Sequence, residues 1–228
     1  MKTGITELVL VIGKSCSEKY AEECAAGFES MFFRKKMNVL EGEVVLTTIL
    51  FDDSAHIFHD RVDIHAAKPL TKADLTGKGS SAWTTALCAA IDKTNTVLQH
   101  TSEEFRPDKA LYVIISDGVL HAAQVELTAL RNKITQSRNN GSKYLICSYD
   151  VDAFAQFGNF ASDIGLDYEN VIGTFRKGYE KEFFVGLLGD ISRIISSRTN
   201  DEICMYTTGW WQELYTSRSN IFSEGVIE

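Results

Sequence analysis

The strongest constraint on the fold is a regular alternation of short apolar runs with longer amphipathic segments. Glu7–Ile12 is almost continuously apolar, as expected for a central parallel strand covered on both faces. Ser17–Met37 follows with Tyr20, Cys24, Phe28, Met31 and Phe32 at helical spacing, with Ser17 placed to cap it and Glu18 in the first turn. Val44–Phe51 is rich in β-branched residues, and Asp52-Asp53-Ser54 turns it back into Ala55–Ile64, a hairpin. The second hairpin strand is polar enough to lie at a sheet edge. Ala82–Gln99 reads as a helix with Leu87, Ala90, Ile91 and Val97 on one side, and Ala110–Ile115 as a further buried strand. A helix over Gln124–Arg138 is stopped by Asn139-Asn140-Gly141, and Tyr144–Cys147 is a short strand. Val151–Ile164 is helical, Asn170–Ile172 is a last strand, and Glu182–Ser196 is amphipathic through Phe184, Leu187, Leu188, Ile191 and Ile195. This rhythm predicts an α/β fold in three layers: a doubly wound, Rossmann-like, mostly parallel sheet with one antiparallel edge strand.

The rhythm breaks at Asn200. Residues 1–199 read as one domain and 200–228 as an extension carrying Tyr206, Trp210, Trp211, Tyr215 and Phe222. So aromatic a segment is expected to pack back onto the domain or to dock a partner, which leaves assembly into an oligomer through it open. The 23 basic and 31 acidic residues give a net charge of −8, which argues against a nucleic-acid binder and against docking on anionic lipid. The cysteines are an odd number, 5, scattered singly with no CxxC pair, the pattern of reduced thiols in a cytoplasmic protein. The apolar run Leu8–Ile12 is too short for a signal peptide, and no stretch approaches the ~18 apolar residues of a membrane span.

In a sheet of this type ligands collect at the carboxyl ends of the parallel strands. Gly13-Lys14-Ser15-Cys16-Ser17 follows the first strand, Ser116-Asp117-Gly118 follows the fourth, and Trp83-Thr84-Thr85 opens the intervening helix. Ser15, Ser17, Thr85 and Asp117 would thus share one rim. Hydroxyls with a carboxylate are the oxygen donors that a hard cation such as Mg²⁺ prefers.

The segments TELVLVIGKSCS, VVLTTILFDD, HDRVDI, KPLT, TTALCAAI, RPDKALYVIISDG and YDVDAFAQFG, in this order, resemble a von Willebrand factor A-type domain of the small stand-alone bacterial or phage-like kind. The resemblance runs from about Thr6 to about Thr199 and leaves out the aromatic extension. It implies a metal-ion-dependent adhesion site with Ser15, Ser17 and Thr85 as hydroxyl ligands and Asp117 as the carboxylate. In that family an acidic residue of the binding partner completes the metal's coordination. Gly13 stands where the motif has an aspartate, Lys14 adds positive charge beside it, and Ser116 replaces the commoner threonine. With one carboxylate lost, the site is expected to be degenerate, binding Mg²⁺ weakly or not at all. Gly118-Val119-Leu120-His121 is more apolar than its counterparts and reads as partner surface or as a cover for the sheet end.

Competing motifs fail on spacing. Gly13-Lys14-Ser15 has Leu8, inside a strand, where a phosphate loop needs its first glycine, and Gly77-Lys78-Gly79-Ser80 has Lys72 there. Cys16 has no neighbouring base in sequence, and among the histidines only His121 is expected at the same rim. His56, His59 and His65 cannot chelate jointly from one strand and are expected at the surface. Asp150, Asp152, Asp163 and Asp167 read as helix caps and solvated turns.

The expectation is therefore a non-catalytic protein–protein interaction module. Its partner would meet the rim at Lys14, Cys16, Val119, Leu120 and His121, beside the degenerate metal set Ser15, Ser17, Thr85 and Asp117. The alternatives are a Mg²⁺-dependent adhesion-type binder that works despite Gly13 and a structural subunit assembling through its tail. A hydrolase is disfavoured for want of a nucleophile–base pair.

Overall fold

A computed structural model describes residues 4–37, 43–78, 82–117, 122–148, 154–166 and 171–173; of residues 30–37, 148, 154–158 and 171–173 it describes the backbone alone. Among the described residues, six strands form one sheet in the order β3-β2-β1-β4-β5-β6. They are β1 (Ile5–Gly13), β2 (Glu43–Phe51), β3 (Ala55–Asp63), β4 (Lys109–Ser116), β5 (Lys143–Ser148) and β6 (Val171–Gly173). β1 pairs in parallel with both β2 and β4, β5 and β6 continue the parallel run, and β3 is antiparallel to β2 at the edge. The helices are α1 (Glu18–Met37), α2 (Lys72–Leu75), α3 (Trp83–His100), α4 (Gln124–Asn139) and α5 (Phe154–Asp163), with a 3-10 turn at Glu103–Phe105. The predicted α/β architecture and its antiparallel edge strand are both present. The short helix α2 and the 3-10 turn were not anticipated, since neither is long enough to show a period.

The pleat of β1 explains the layers. Leu8, Leu10 and Ile12 point to one face, where Tyr20, Cys24 and Phe28 of α1 and Leu75 of α2 close over them. Val9 and Val11 point to the other, against Trp83, Leu87 and Ile91 of α3, Leu130 and Ile134 of α4 and Phe160 of α5. A strand buried on both faces can be apolar at every position, which is how β1 reads. Each such leucine or isoleucine contributes about 1.5–3 kcal/mol by leaving water. On α3, Leu87, Ala90 and Ile91 are buried as expected, whereas Val97 is half-exposed and Thr94 is buried below it. α4 ends as predicted at Gly141, whose φ of 87° lies in the left-handed region; its N–H donates to the Arg138 carbonyl at 2.9 Å.

Two polar residues of the sheet depart from their sequence reading. His56 and His65 are exposed, but His59 is buried at 5% exposure. The β2–β3 register shifts around Thr48, and the irregularity turns the His59 ring inward. There its Nε2–H donates to the Lys68 carbonyl (2.9 Å), which leaves Nδ1 to accept from the Thr48 hydroxyl (2.9 Å). Glu7, read as part of an apolar strand, is buried at 1% exposure with its charge matched. Arg61 Nε donates to its Oε2 at 2.9 Å and the Thr47 hydroxyl to its Oε1 at 3.0 Å.

The predicted helix Glu182–Ser196, the extension 200–228 and Val119, Leu120 and His121 lie outside the described residues.

Candidate functional site

The carboxyl ends of β1, β2 and β4 form a rim closed by backbone hydrogen bonds. Lys14 N–H donates to the Phe51 carbonyl (2.7 Å), joining the turn after β1 to the end of β2, and Ala82 N–H, at the start of α3, donates to the Asp52 carbonyl (2.9 Å). A short strap, Leu75–Gly77, lies against the turn. Ser15 N–H donates to the Leu75 carbonyl at 3.0 Å, and Gly77 N–H to the Ser15 carbonyl at 2.9 Å. Glycine is required at 77, because a Cβ there would meet the Lys14 Cβ at 2.5 Å.

Ser15 is at the centre of the polar network. It is only 2% exposed. Its hydroxyl hydrogen goes to Asp117 Oδ2, across 102 residues of sequence, and its oxygen accepts the Ser17 N–H at 2.9 Å. Ser17 caps α1 as its sequence position predicts, its Oγ accepting the Tyr20 N–H at 3.3 Å. The Tyr20 hydroxyl returns to the Gly13 carbonyl at 3.1 Å, tying helix to strand end beneath the rim.

Of the four residues assigned as metal donors, the structure therefore joins Ser15 and Asp117 directly. Ser17 sits one hydrogen bond away. Thr85 is exposed on the first turn of α3, with Thr84 rather than Thr85 turned into the fold. Gly13 supplies no carboxylate, and a Cβ at this position would lie 3.1 Å from the Phe51 ring, which would have to yield by a few tenths of an ångström. Lys14 Nζ lies 3.9 Å from Asp52 Oδ2, so its charge is turned toward the β2–β3 turn. Gly13 brings no carboxylate to this set, which leaves Asp117 as its one anionic side chain beside the hydroxyls of Ser15 and Ser17. Among the described residues no three histidine, cysteine or acidic side chains gather as a metal site.

The thiols near the rim divide by burial. Cys16 is exposed on the turn itself. Cys24, fully enclosed on the inner face of α1, has its pKa pushed up to about 12 by burial, with the Tyr20 hydroxyl pulling the other way. Burial raises the Cys147 thiol as well. Both are packing residues held as neutral thiols.

Sequence reasoning missed the strap over Ser15 and the exposure of Val125. The second residue of α4, Val125 is 79% exposed at the helix end nearest the carboxyl edge of β4. Its signal was legible: the buried stripe of α4 is Leu127, Leu130 and Ile134, and Val125 is out of phase with it.

No family model matches the sequence, and no curated protein does. Solved structures do match. The vWF domain of the type V pili tip protein Mfa5 from Porphyromonas gingivalis superposes with a TM-score of 0.58 at 12% identity, over 86% of this chain and 98% of that one. The pilus adhesin SpaC from Lactobacillus rhamnosus GG, in its open conformation, gives a TM-score of 0.60 at 10% identity, over 86% of this chain. The chain spans 31% of that adhesin's length. The fold is thus that of a von Willebrand factor A-type domain. At these identities the likeness establishes architecture alone.

Proposed function

We propose that the chain is a non-catalytic protein-interaction module that meets its partner at the carboxyl-end rim, with Mg²⁺ dependence weak or lost. The observation that carries this reading is the convergence of Ser15 and Asp117 from distant loops, at the strand end that leads into α4, whose second residue, Val125, is exposed. An exposed valine at a site-bearing rim suits the apolar centre of a protein contact. Lys14 and Cys16 border the same surface. A pilus adhesin contains a part with this architecture. The protein would work in the cytoplasm, as its scattered cysteines suggest.

The test compares the proteins retained by the full chain, by Val125→Asp and by Phe105→Asp, which places the same charge on the 3-10 turn before β4, at the sheet's opposite end. Retention is expected to fall at least tenfold for the rim variant, to persist for the control and to ignore a chelator. Equal retention by both variants would remove the rim from the interface. Loss on chelation would establish the Mg²⁺-dependent alternative.

A further inference from the structure

We propose that the layer between the sheet and helices α3 and α4 encloses a water-binding site, in which one interior water joins the Tyr112 hydroxyl of β4 to the hydroxyls of Thr94 on α3 and Ser137 on α4.

The site shows first as a break in three apolar patterns. Leu87, Ala90 and Ile91 make the buried stripe of α3, and the next position in phase is Thr94, 3% exposed. Leu127, Leu130 and Ile134 make that of α4, and the next in phase is Ser137, 1% exposed. Beneath them on the sheet, Tyr112 is fully buried. Its pairing with Val9 on one side and Tyr144 on the other sets its ring on the α3/α4 face. There it stacks on Tyr144, with ring centroids 4.6 Å apart and planes 6° apart, which fixes the direction of the hydroxyl. Ser142, in the turn before β5, is buried as well, and its N–H donates to the Ser137 carbonyl at 3.1 Å. Hydroxyls from four segments therefore converge toward the amino ends of the strands, away from the rim.

Tyr112 shows that these hydroxyls need a ligand. Its own hydroxyl is buried, and among the described residues no group meets it in hydrogen-bonding geometry. Thr94, Ser137 and Ser142 are nonetheless close enough to act on it: burial pushes the Tyr112 pKa up to about 12, while these three hydroxyls pull it down. Polar groups that approach without bonding directly leave the gap that a bridging water fills. Donors and acceptors also match. Thr94 gives its hydrogen to the Ala90 carbonyl at 3.2 Å, so its oxygen is free to accept a further bond. A water that takes the Tyr112 hydrogen gives its own to Thr94 and Ser137, about three bonds in all, as interior waters make. The partners are neutral hydroxyls, which suit water over an ion, and their burial admits only a small occupant. Left unmet, a buried phenol hydroxyl would oppose folding; bridged by water, it ties two helices to the centre of the sheet.

A crystal structure of the full chain, at a resolution that orders interior water, reads the site directly. The expected result is a solvent peak within hydrogen-bonding distance of Tyr112 Oη and of Thr94 Oγ1 or Ser137 Oγ. An interior without that peak, or Tyr112 bonded directly to one of the three hydroxyls, would overturn the proposal. Thermal unfolding of Tyr112→Phe, Ser137→Ala and the double variant gives a second, independent reading. With the water in place, Tyr112→Phe should lower the midpoint by about 2–5 °C. The double variant should lose less than the sum of the two single losses, because both residues hold the same water. A midpoint raised in Tyr112→Phe would show the hydroxyl to be unmet in the folded protein, and additive losses would show that the two residues share no ligand. Either result rejects the site.

Discussion

His59 is buried between β2, β3 and the segment carrying Lys68, and its pKa is lowered from 6.5 chiefly by burial, with the Lys68 carbonyl bond and the Asp74 charge acting in the opposite sense. The unfolded chain therefore takes up this proton at a higher pH than the folded one. Stability from this residue is complete above the unfolded value of about 6.5 and is lost as pH falls through the folded value. Urea unfolding followed downward from neutral pH should lose more free energy in wild type than in His59→Gln. Equal pH slopes would show that the ring does not titrate in this environment. The neighbouring pair, Glu7 and Arg61, illustrates how far a single residue's reading reaches. Glu7 is visible in sequence as an acidic residue in a buried strand, but Arg61 lies 54 positions away, on a strand that does not adjoin β1. No local pattern announces such a partner, and leaving that carboxylate buried without it would be costly.

The elements were largely legible because their signals are local. The end of α4 was readable from Asn139-Asn140-Gly141, and Gly141 does adopt φ 87°. A Cβ there would meet nothing within 4 Å, so Gly141→Ala involves no clash and tests the backbone preference alone. It should cost about 1–2 kcal/mol in urea unfolding, with the denaturant slope unchanged. Gly165 has a similar φ of 79° but faces the Arg131 side chain at 3.2 Å, so the same substitution there would mix strain with contact. β3 was recognised as an edge strand from its polarity, and the order β3-β2-β1 places it there. Its register shift opposite Thr48 was not legible, since a bulge depends on how two strands pair and not on either alone.

At the scale of the whole chain, the aromatic extension 200–228 is tested by deletion. Its removal is expected to leave the number of protomers per particle unchanged and to lower the unfolding midpoint. A particle with fewer protomers, read by light scattering against the truncated chain's own mass, would assign the extension to assembly instead. The sequence by itself determined the fold class, the order of the six strands and of α1, α3, α4 and α5, and the capping of α1 by Ser17. Each of these follows from spacing along the chain, and spacing is what a sequence records. Only the tertiary structure decided that Ser15 donates to Asp117, that Thr85 is exposed, that Leu75–Gly77 lies over Ser15 and that Lys14 turns toward Asp52. Those outcomes depend on where a hydroxyl hydrogen points and on which loop comes to rest against another. They are settled by packing between segments many residues apart, after the sheet has brought their ends together.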